Sequence, residues 1–332
     1  MSSDPTDGTI VELAVTPAER ESLGQLARSL LRSERTEIDR LDEATVVVRA
    51  ERAATSLPAR IGDAIDSLRG GRFAALVLRG SLDPTAITHP TPIRHGERTP
   101  PVDVAQAVHA LLVGRLGQAY GYLGQQHGRI FNDIVPVADR LEVANFSGGT
   151  HHRFEFHTED AFHPARAHWI TLMCRRNPDL VPTILAVPDP GLLGAETLDA
   201  LSRPMFRLRA NPAQGGQTAD RSGCEPVVAP GRHGPAFRYN FCVDGSTDPA
   251  GRRALDQLLD HLLSRQRHVR LAAGDCLLVD NERAFHARDP YVARLDGSDR
   301  WMQRVIAVES VDRLAGHLDP GGFRQVQAPG GA

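Results

Sequence analysis

Residues 151–164 read HHRFEFHTEDAFHP. From Arg153 to Glu159 polar and apolar side chains alternate, the pattern of a half-buried strand. Residues two apart in a strand share a face, so His157 and Glu159 point the same way and can chelate one ion between them. A solvated polar strand end would show the same residues, so the pair alone leaves both readings open.

A third ligand candidate stands in NERAFHARDP (281–290), which follows the apolar run CLLVD and presents His286 at a turn. Two imidazoles and one carboxylate on one side of an ion make the facial triad of non-haem Fe(II) oxygenases, with positions left open for a co-substrate and O2. Such a site needs groups that hold an anionic co-substrate. Arg300 and Arg304 lie in DRWMQRVIAVES (299–310), four apart on an expected strand. They face one side, about 13 Å apart by strand rise, and each guanidinium can make a bidentate carboxylate contact.

Around these residues the texture is β-rich. FNDIVPV, HHRFEFHTE, HWITLMCRR, PTILAVP, FRYNF, CLLVDN and WMQRVIAVES are short apolar or alternating runs broken by Pro, Gly and Asp. Many short strands between turn signals indicate a β-sandwich or jelly roll. Before them the chain reads mainly helical. Residues 16–34 begin Thr-Pro with an early Glu, PARIGDAIDSLRGG ends on glycines, and PPVDVAQAVHALLVGRLGQAYGYL has apolar residues at helical spacing. FAALVLRG (73–80) reads as a short buried strand, and DPAGRRALDQLLDHLLSRQ (248–266) as a late helix. Residues 207–235 are long, polar and rich in Gly and Pro, the composition of a lid loop. The expectation is one domain over 1–332, mainly helical over 1–120, with a jelly-roll core over 121–315.

Composition narrows the function classes. With 332 residues, 41% of them apolar, the chain can bury a full core, and a net charge of -3 gives no nucleic-acid footprint. The start MSSDPTDGTIVELAV lacks the pattern of a secretory signal, and no stretch is apolar enough to span a bilayer, so a cytoplasmic location is expected. Cys174, Cys224, Cys242 and Cys276 have no paired spacing and read as reduced thiols. His151, His152, His163 and His168 fit no closed Cys/His zinc pattern. The chain contains no lysine, which removes Schiff-base chemistry and a phosphate-binding P-loop together. A small-molecule partner is favoured, with neither nucleic acid nor membrane expected and the oligomeric state open.

HTEDAFHP (157–164), RRNPDLVPT (175–183) and GDCLLVDNERAFHARDPYVARLDGSDRWMQRV (274–305) resemble, in order, the clavaminate synthase-like branch of Fe(II)/2-oxoglutarate oxygenases, in particular its arginine and asparagine hydroxylases. The resemblance covers roughly residues 120–310. It implies an α+β chain built on a double-stranded β-helix, or jelly roll, with flanking helices. It also implies Fe(II) held by His157, Glu159 and His286, with 2-oxoglutarate and O2 as co-substrates. By the same resemblance Arg300 and Thr183 bind the far carboxylate of 2-oxoglutarate, and Arg304 takes the α-carboxylate of an amino-acid substrate. Ser147 and Gln126 complete that end, and Glu159 serves both iron and the substrate ammonium. The implied activity is hydroxylation of an unactivated carbon of a free L-amino acid in specialised, peptide-antibiotic metabolism, with desaturation or cyclisation as variants.

One departure bears on the substrate. Where the arginine hydroxylases carry an acidic pair that clamps a guanidinium, FRYNFCVDG (237–245) offers Asn240 and Cys242, unless Asp244 or Asp248 supplies the charge. A buried guanidinium without a carboxylate is costly, whereas a ureido group exchanges hydrogen bonds with Asn240 at no ionic penalty. Citrulline or a similar neutral polar amino acid is therefore favoured over arginine. A non-catalytic barrel would have no need of an intact triad beside a co-substrate arginine.

Overall fold

Helix starts in the first third are written in their caps. Thr16 Oγ1 accepts from the Glu19 backbone N–H while Glu19 returns to the Thr16 N–H, and Asp103 and Gln106 repeat the reciprocal arrangement. These caps open α1 (Pro17–Leu30) and α4 (Val104–Leu116); between them lie α2 (Glu43–Ala53) and α3 (Ala59–Arg69). The computed structural model describes residues 9–32, 41–94, 101–211, 224–243 and 248–327. α2 carries Val46–Val48, a β-favouring run to which the sequence pattern assigns no helix. Asp42 caps it, and burial of Val46, Val47 and Ala50 against α4 overrides the propensity. α4 is buried almost all round because α1, α2 and α3 cover it on one side and the large sheet on the other.

That sheet runs β1 (Ile10–Ala14), β2 (Ala75–Arg79), β11 (Cys276–Asp280), β6 (Trp169–Arg176), β13 (Trp301–Val308), β3 (Gln118–Tyr122) and β14 (Gln325–Val326), with β4 (Asn132–Ile134) also on β13. Opposite it a four-stranded sheet runs β10 (Arg267–Val269), β7 (Thr183–Ala186), β12 (Phe285–Arg288) and β5 (Phe154–His157). The two sheets form the jelly roll. Helices α5 (Pro190–Leu193), α6 (Ala195–Leu201) and α7 (Pro249–Ser264) lie behind the small sheet.

Strand alternation sorts the small sheet's side chains. Phe156, Ile184, Ala186, Phe285 and Ala287 join Leu201, Leu258 and Leu262 in the outer core. Their neighbours His157, Thr183, Leu185, His286 and Arg288 therefore face the large sheet, where Leu185 packs in the core that contains Leu172 and Met302.

Three expected elements differ. The helix expected over PPVDVAQAVHALLVGRLGQAYGYL stops at Leu116, and Gln118–Tyr122 forms β3, which pairs with β13. FRYNF is not a strand: β9 (Gly234–Phe237) ends at its first residue, because the backbone of Arg238 turns to bond Val227 and Tyr239 turns to bond Thr158. Of the expected lid, residues 212–223 lie outside the described residues. Its C-terminal part forms a hairpin, β8 (Val228–Gly231) with β9, and Phe206 bridges to Glu225. No helix among the described residues is long and apolar enough to cross a membrane.

Leu111 is fully buried at the centre of α4. Leu111→Ala is expected to lower unfolding free energy by about 2–5 kcal/mol in urea titration.

Candidate metal centre and active site

β5 and β12 pair antiparallel with His286 directly opposite His157, which brings the two rings to a centroid distance of 4.1 Å. His286 thus sits within a strand rather than at a turn; the turn is Asn281–Arg283, shortly before it. Glu159 in contrast lies past the end of β5, so strand alternation does not aim it. Asn281 does. Its side-chain oxygen accepts from the Glu159 N–H at 2.7 Å and its amide donates to the Glu159 carbonyl at 3.1 Å and the Ala167 carbonyl at 3.0 Å. In sequence Asn281 reads only as a turn residue after an apolar strand, so nothing there marks this clamp.

One ligand atom from each of His157, Glu159 and His286 lies within 4.8 Å of the others, the sole such group of His, Cys, Asp and Glu among the described residues. His157 Nδ1 donates to the Glu155 carbonyl at 2.8 Å, which leaves Nε2 as a lone pair. Burial, helped by the neighbouring His286, lowers the His157 pKa to about 3, so the ring is neutral as a ligand must be. Burial alone would raise the Glu159 carboxyl, but Arg304 and His286 more than offset it and hold it well below the usual carboxylate range. A neutral His157, the second imidazole of His286 and an ionised carboxylate fit a divalent iron.

Arg304 fills out the polar side of this centre. Its Nη1 donates to Glu159 Oε1 at 2.6 Å, and its Nη2 donates to Gln125 Oε1 and, at 3.1 Å, to Asn132 Oδ1. Burial would lower its pKa, but Glu159 and Asp160 raise it. Gln125 continues the network by donating to Asp160 Oδ1 at 2.9 Å. Burial and the adjacent Glu159 push Asp160 up to about 7.

Two cavities meet at Arg304. The inner one is lined by the triad together with Thr183, Arg288 and Arg300; the outer one by Gln125, Gln126, Asn132, Phe146 and Ser147. Arg300, just before β13, donates to Thr183 Oγ1 at 3.3 Å. Burial lowers its pKa. Ser147 lines both cavities.

The remaining expected residues are placed differently. Gln126 borders the outer cavity, but its amide is spent on the Asp133 backbone, donating to the carbonyl at 2.8 Å and accepting from the N–H at 3.0 Å. The glutamine that reaches Arg304 is Gln125, and a QQ pair in sequence does not say which of the two will. Asn240 borders neither cavity. It closes a local turn, accepting from the Cys242 N–H and donating to the Arg209 carbonyl, each at 3.0 Å. Of the alternative acids, Asp248 caps α7 through the Ala250 N–H, and Asp244 lies outside the described residues.

A jelly roll holding two imidazoles and a carboxylate at one end of its smaller sheet defines a mononuclear non-haem iron oxygenase. Comparison with known proteins narrows this. Residues 199–306 match the family model "Taurine catabolism dioxygenase TauD, TfdA family". An enduracididine beta-hydroxylase of Streptomyces hygroscopicus is 30% identical over 283 residues, which span 76% of this chain and 82% of that protein. The non-heme iron oxygenase OrfP, solved with Fe and alpha-ketoglutaric acid, superposes with a TM-score of 0.83 at 29% identity, over 95% of this chain and 99% of OrfP. OrfP has also been solved with Fe, succinate and (3S)-hydroxy-L-Arg. An asparagine oxygenase in complex with Fe(II), 2S,3S-3-hydroxyasparagine and succinate gives a TM-score of 0.84 at 26% identity, over 96% and 99% of the two chains.

The chain belongs to the TauD/clavaminate synthase-like family of Fe(II)/2-oxoglutarate-dependent oxygenases, a family that includes amino acid hydroxylases. Its cofactor is Fe(II), and its co-substrates are 2-oxoglutarate and O2.

His157→Ala and His286→Ala each remove one of three ligands. Both variants are expected to stay folded and to bind Fe(II), titrated anaerobically by calorimetry, at least about tenfold more weakly than the wild type. Wild-type affinity in either variant would remove that residue from the metal centre.

Proposed function

We propose that the protein hydroxylates an unactivated side-chain carbon of a free L-amino acid with a neutral polar side chain, citrulline being the representative substrate. The observation that carries this reading is the buried Glu159–Arg304 pair, 2.6 Å apart where the two cavities meet. An amino acid is a zwitterion, and these are its two complements: Glu159 for the ammonium, Arg304 for the carboxylate. Without substrate the two charges satisfy each other, so the zwitterion exchanges partners without leaving an uncompensated charge in a dry site. Arg304 has five N–H donors, and with three engaged as described two remain for a carboxylate.

The substrate side chain then extends along the outer cavity, whose described lining contains amides, a hydroxyl, the His127 imidazole, the Arg304 guanidinium and apolar groups but no carboxylate. A ureido or carboxamide group suits that lining; a guanidinium would be buried without a counter-ion. Ser147, at the boundary of the cavities, and Gln126, through the Asp133 backbone, shape this end. In the inner cavity Arg300 and Thr183 take the far carboxylate of 2-oxoglutarate, and His157, Glu159 and His286 hold iron on one face. Bound Fe(II), with 2-oxoglutarate and O2, supplies the oxidising power: R–H, O2 and 2-oxoglutarate give R–OH, succinate and CO2. The chain's own work is to orient the C–H bond, exclude water and keep His157 neutral. Arginine is the second reading, favoured by the OrfP complex with a hydroxylated arginine. It requires a carboxylate from outside the described lining.

Incubation with free L-amino acids, including citrulline, arginine, asparagine, glutamine and lysine, tests the proposal. It expects a 2-oxoglutarate-dependent product 16 mass units heavier (one oxygen atom) with stoichiometric succinate, and a higher kcat/KM for citrulline than for arginine. A preference for arginine would select the second reading, and succinate release that no amino acid stimulates would overturn both.

The arginines have separable roles. Arg300→Ala should raise KM for 2-oxoglutarate by roughly 10- to 100-fold with little effect on the amino acid, and Arg304→Ala should do the converse, each losing charge-assisted hydrogen bonds. Steady-state kinetics with each substrate varied in turn decide it, and the reverse pattern would exchange the assignments.

A further inference from the structure

Arg288 stands two residues beyond His286 on β12, on the same inward face, directly across from Thr183 on β7. Arg300 reaches the hydroxyl of that same Thr183. Two guanidiniums thus border the inner cavity on either side of one threonine. Both are buried, at 5% and 4% exposure, and in both the Nε has no hydrogen-bond partner among the described residues. Neither has a carboxylate within ion-pair distance among the described residues. Asp289, beside Arg288 in sequence, is shared by Arg153 and His268, and Glu159 is taken by Arg304. Arg288 is not idle, however. Its Nη1 donates to the Ser147 carbonyl at 3.1 Å and its Nη2 to the Gly149 carbonyl, so it ties the segment that separates the two cavities to the strand carrying His286.

Two like charges buried side by side without counter-ions are unfavourable. Such an arrangement is stabilised by a ligand that brings two negative charges. We propose that Arg288 is a specificity-determining residue for the co-substrate: its charge, beside that of Arg300, selects a dianionic 2-oxo acid over a monoanionic one, while its two Nη groups position the Ser147–Gly149 segment for the amino acid. This rests on reading the inner cavity as the 2-oxoglutarate site. Arg300 is the direct contact for the far carboxylate. Arg288 supplies the second positive charge, and its Nε–H is buried without a hydrogen-bond partner among the described residues.

Charge and fork geometry separate in two variants, Arg288→Met and Arg288→Lys. Anaerobic calorimetry on Mn(II)-loaded protein would compare 2-oxoglutarate with 2-oxopentanoate, a monoanion of the same chain length. Wild type is expected to prefer the dianion, and Arg288→Met to reduce that preference about tenfold, the equivalent of one charge-assisted contact. Arg288→Lys keeps the charge and should keep the preference. Lysine is shorter and replaces the planar fork, whose Nη1 and Nη2 each hold one carbonyl, by a single nitrogen, so amino-acid binding to the Mn(II)- and 2-oxoglutarate-loaded lysine variant should weaken several-fold. An Arg288→Met protein with wild-type preference would overturn the proposal, as would an Arg288→Lys protein that loses it. If the methionine variant fails to fold, the lysine variant decides. The dianion comparison involves no amino acid, so it stands whichever amino acid is the substrate, and a wild type without dianion preference would refute the reading of the inner cavity itself.

Discussion

A slip of one residue between β5 and β12 would turn either His157 or His286 out of the barrel and into the apolar layer beneath α6 and α7. The cross-strand register is the constraint on which the site depends. Several contacts hold it. Phe156 and Phe285, alternating with the two histidines, are fully buried on the outer side, so a slip would bring imidazoles into a hydrophobic core and phenyl rings into a polar cavity. On its other edge β12 is paired over all four residues with β7, which fixes Thr183 opposite Arg288 as surely as His157 is fixed opposite His286. Glu159 stands outside this logic, beyond the strand, and needs its own fixture in Asn281. The triad thus combines two ligands set by sheet register with one set by a side-chain clamp.

Electrostatics divide the barrel along the line of Arg304. On one side the Glu159–Arg304 pair is internally neutral; on the other Arg288 and Arg300 are hydrogen-bonded cations with no carboxylate in ion-pair distance among the described residues. Burial opposes charge in every one of these groups, so what distinguishes them is compensation. The compensated pair matches a ligand of zero net charge, and the uncompensated pair matches an anion. On the proposed reading, this asymmetry directs the amino acid to the Glu159–Arg304 pair and the oxo acid to Arg288 and Arg300 without reference to the shape of either.

How much of this was legible in the sequence depends on how local each cause is. His157, Glu159, His286, Arg300 and Arg304 stand in short ordered motifs, and the structure brings all five to the walls of one cavity. The capped helices α1 and α4 were readable because a cap and its partner lie three residues apart. α2 was not: its valines favour a strand, and only the distant α4 makes a helix the better burial. FRYNF failed for the opposite reason, since beyond Phe237 a pattern that fits a strand finds single bonds to Val227 and Thr158 in place of a continuous ladder. Asn281, Gln125 and Arg288 act through partners 122, 179 and 141 residues away. Asn240 read as a substrate contact because its position was judged by resemblance, whereas its own backbone neighbours claim its amide.

The contrast between Gln125 and Gln126 has a physical origin in the turn they share. Gln126, His127 and Gly128 all have positive φ, at 43°, 61° and 76°. Two consecutive non-glycine residues in this region are strained, and such strain persists only where surrounding contacts over-determine it. Here the contacts are visible. Gln126 grips both backbone groups of Asp133, and the Asp133 carboxylate in turn accepts from Trp301 and Gln303 on β13 at 2.8 and 3.0 Å. The turn is therefore fastened to the strand that carries Arg304, and its left-handed course presents Gln125 to that guanidinium. Replacing Gln126 would free the turn and only indirectly alter Arg304, whereas replacing Gln125 would remove an acceptor from the guanidinium itself. Two adjacent identical residues thus act on the amino-acid end of the site by different routes, one by holding backbone and one by holding charge.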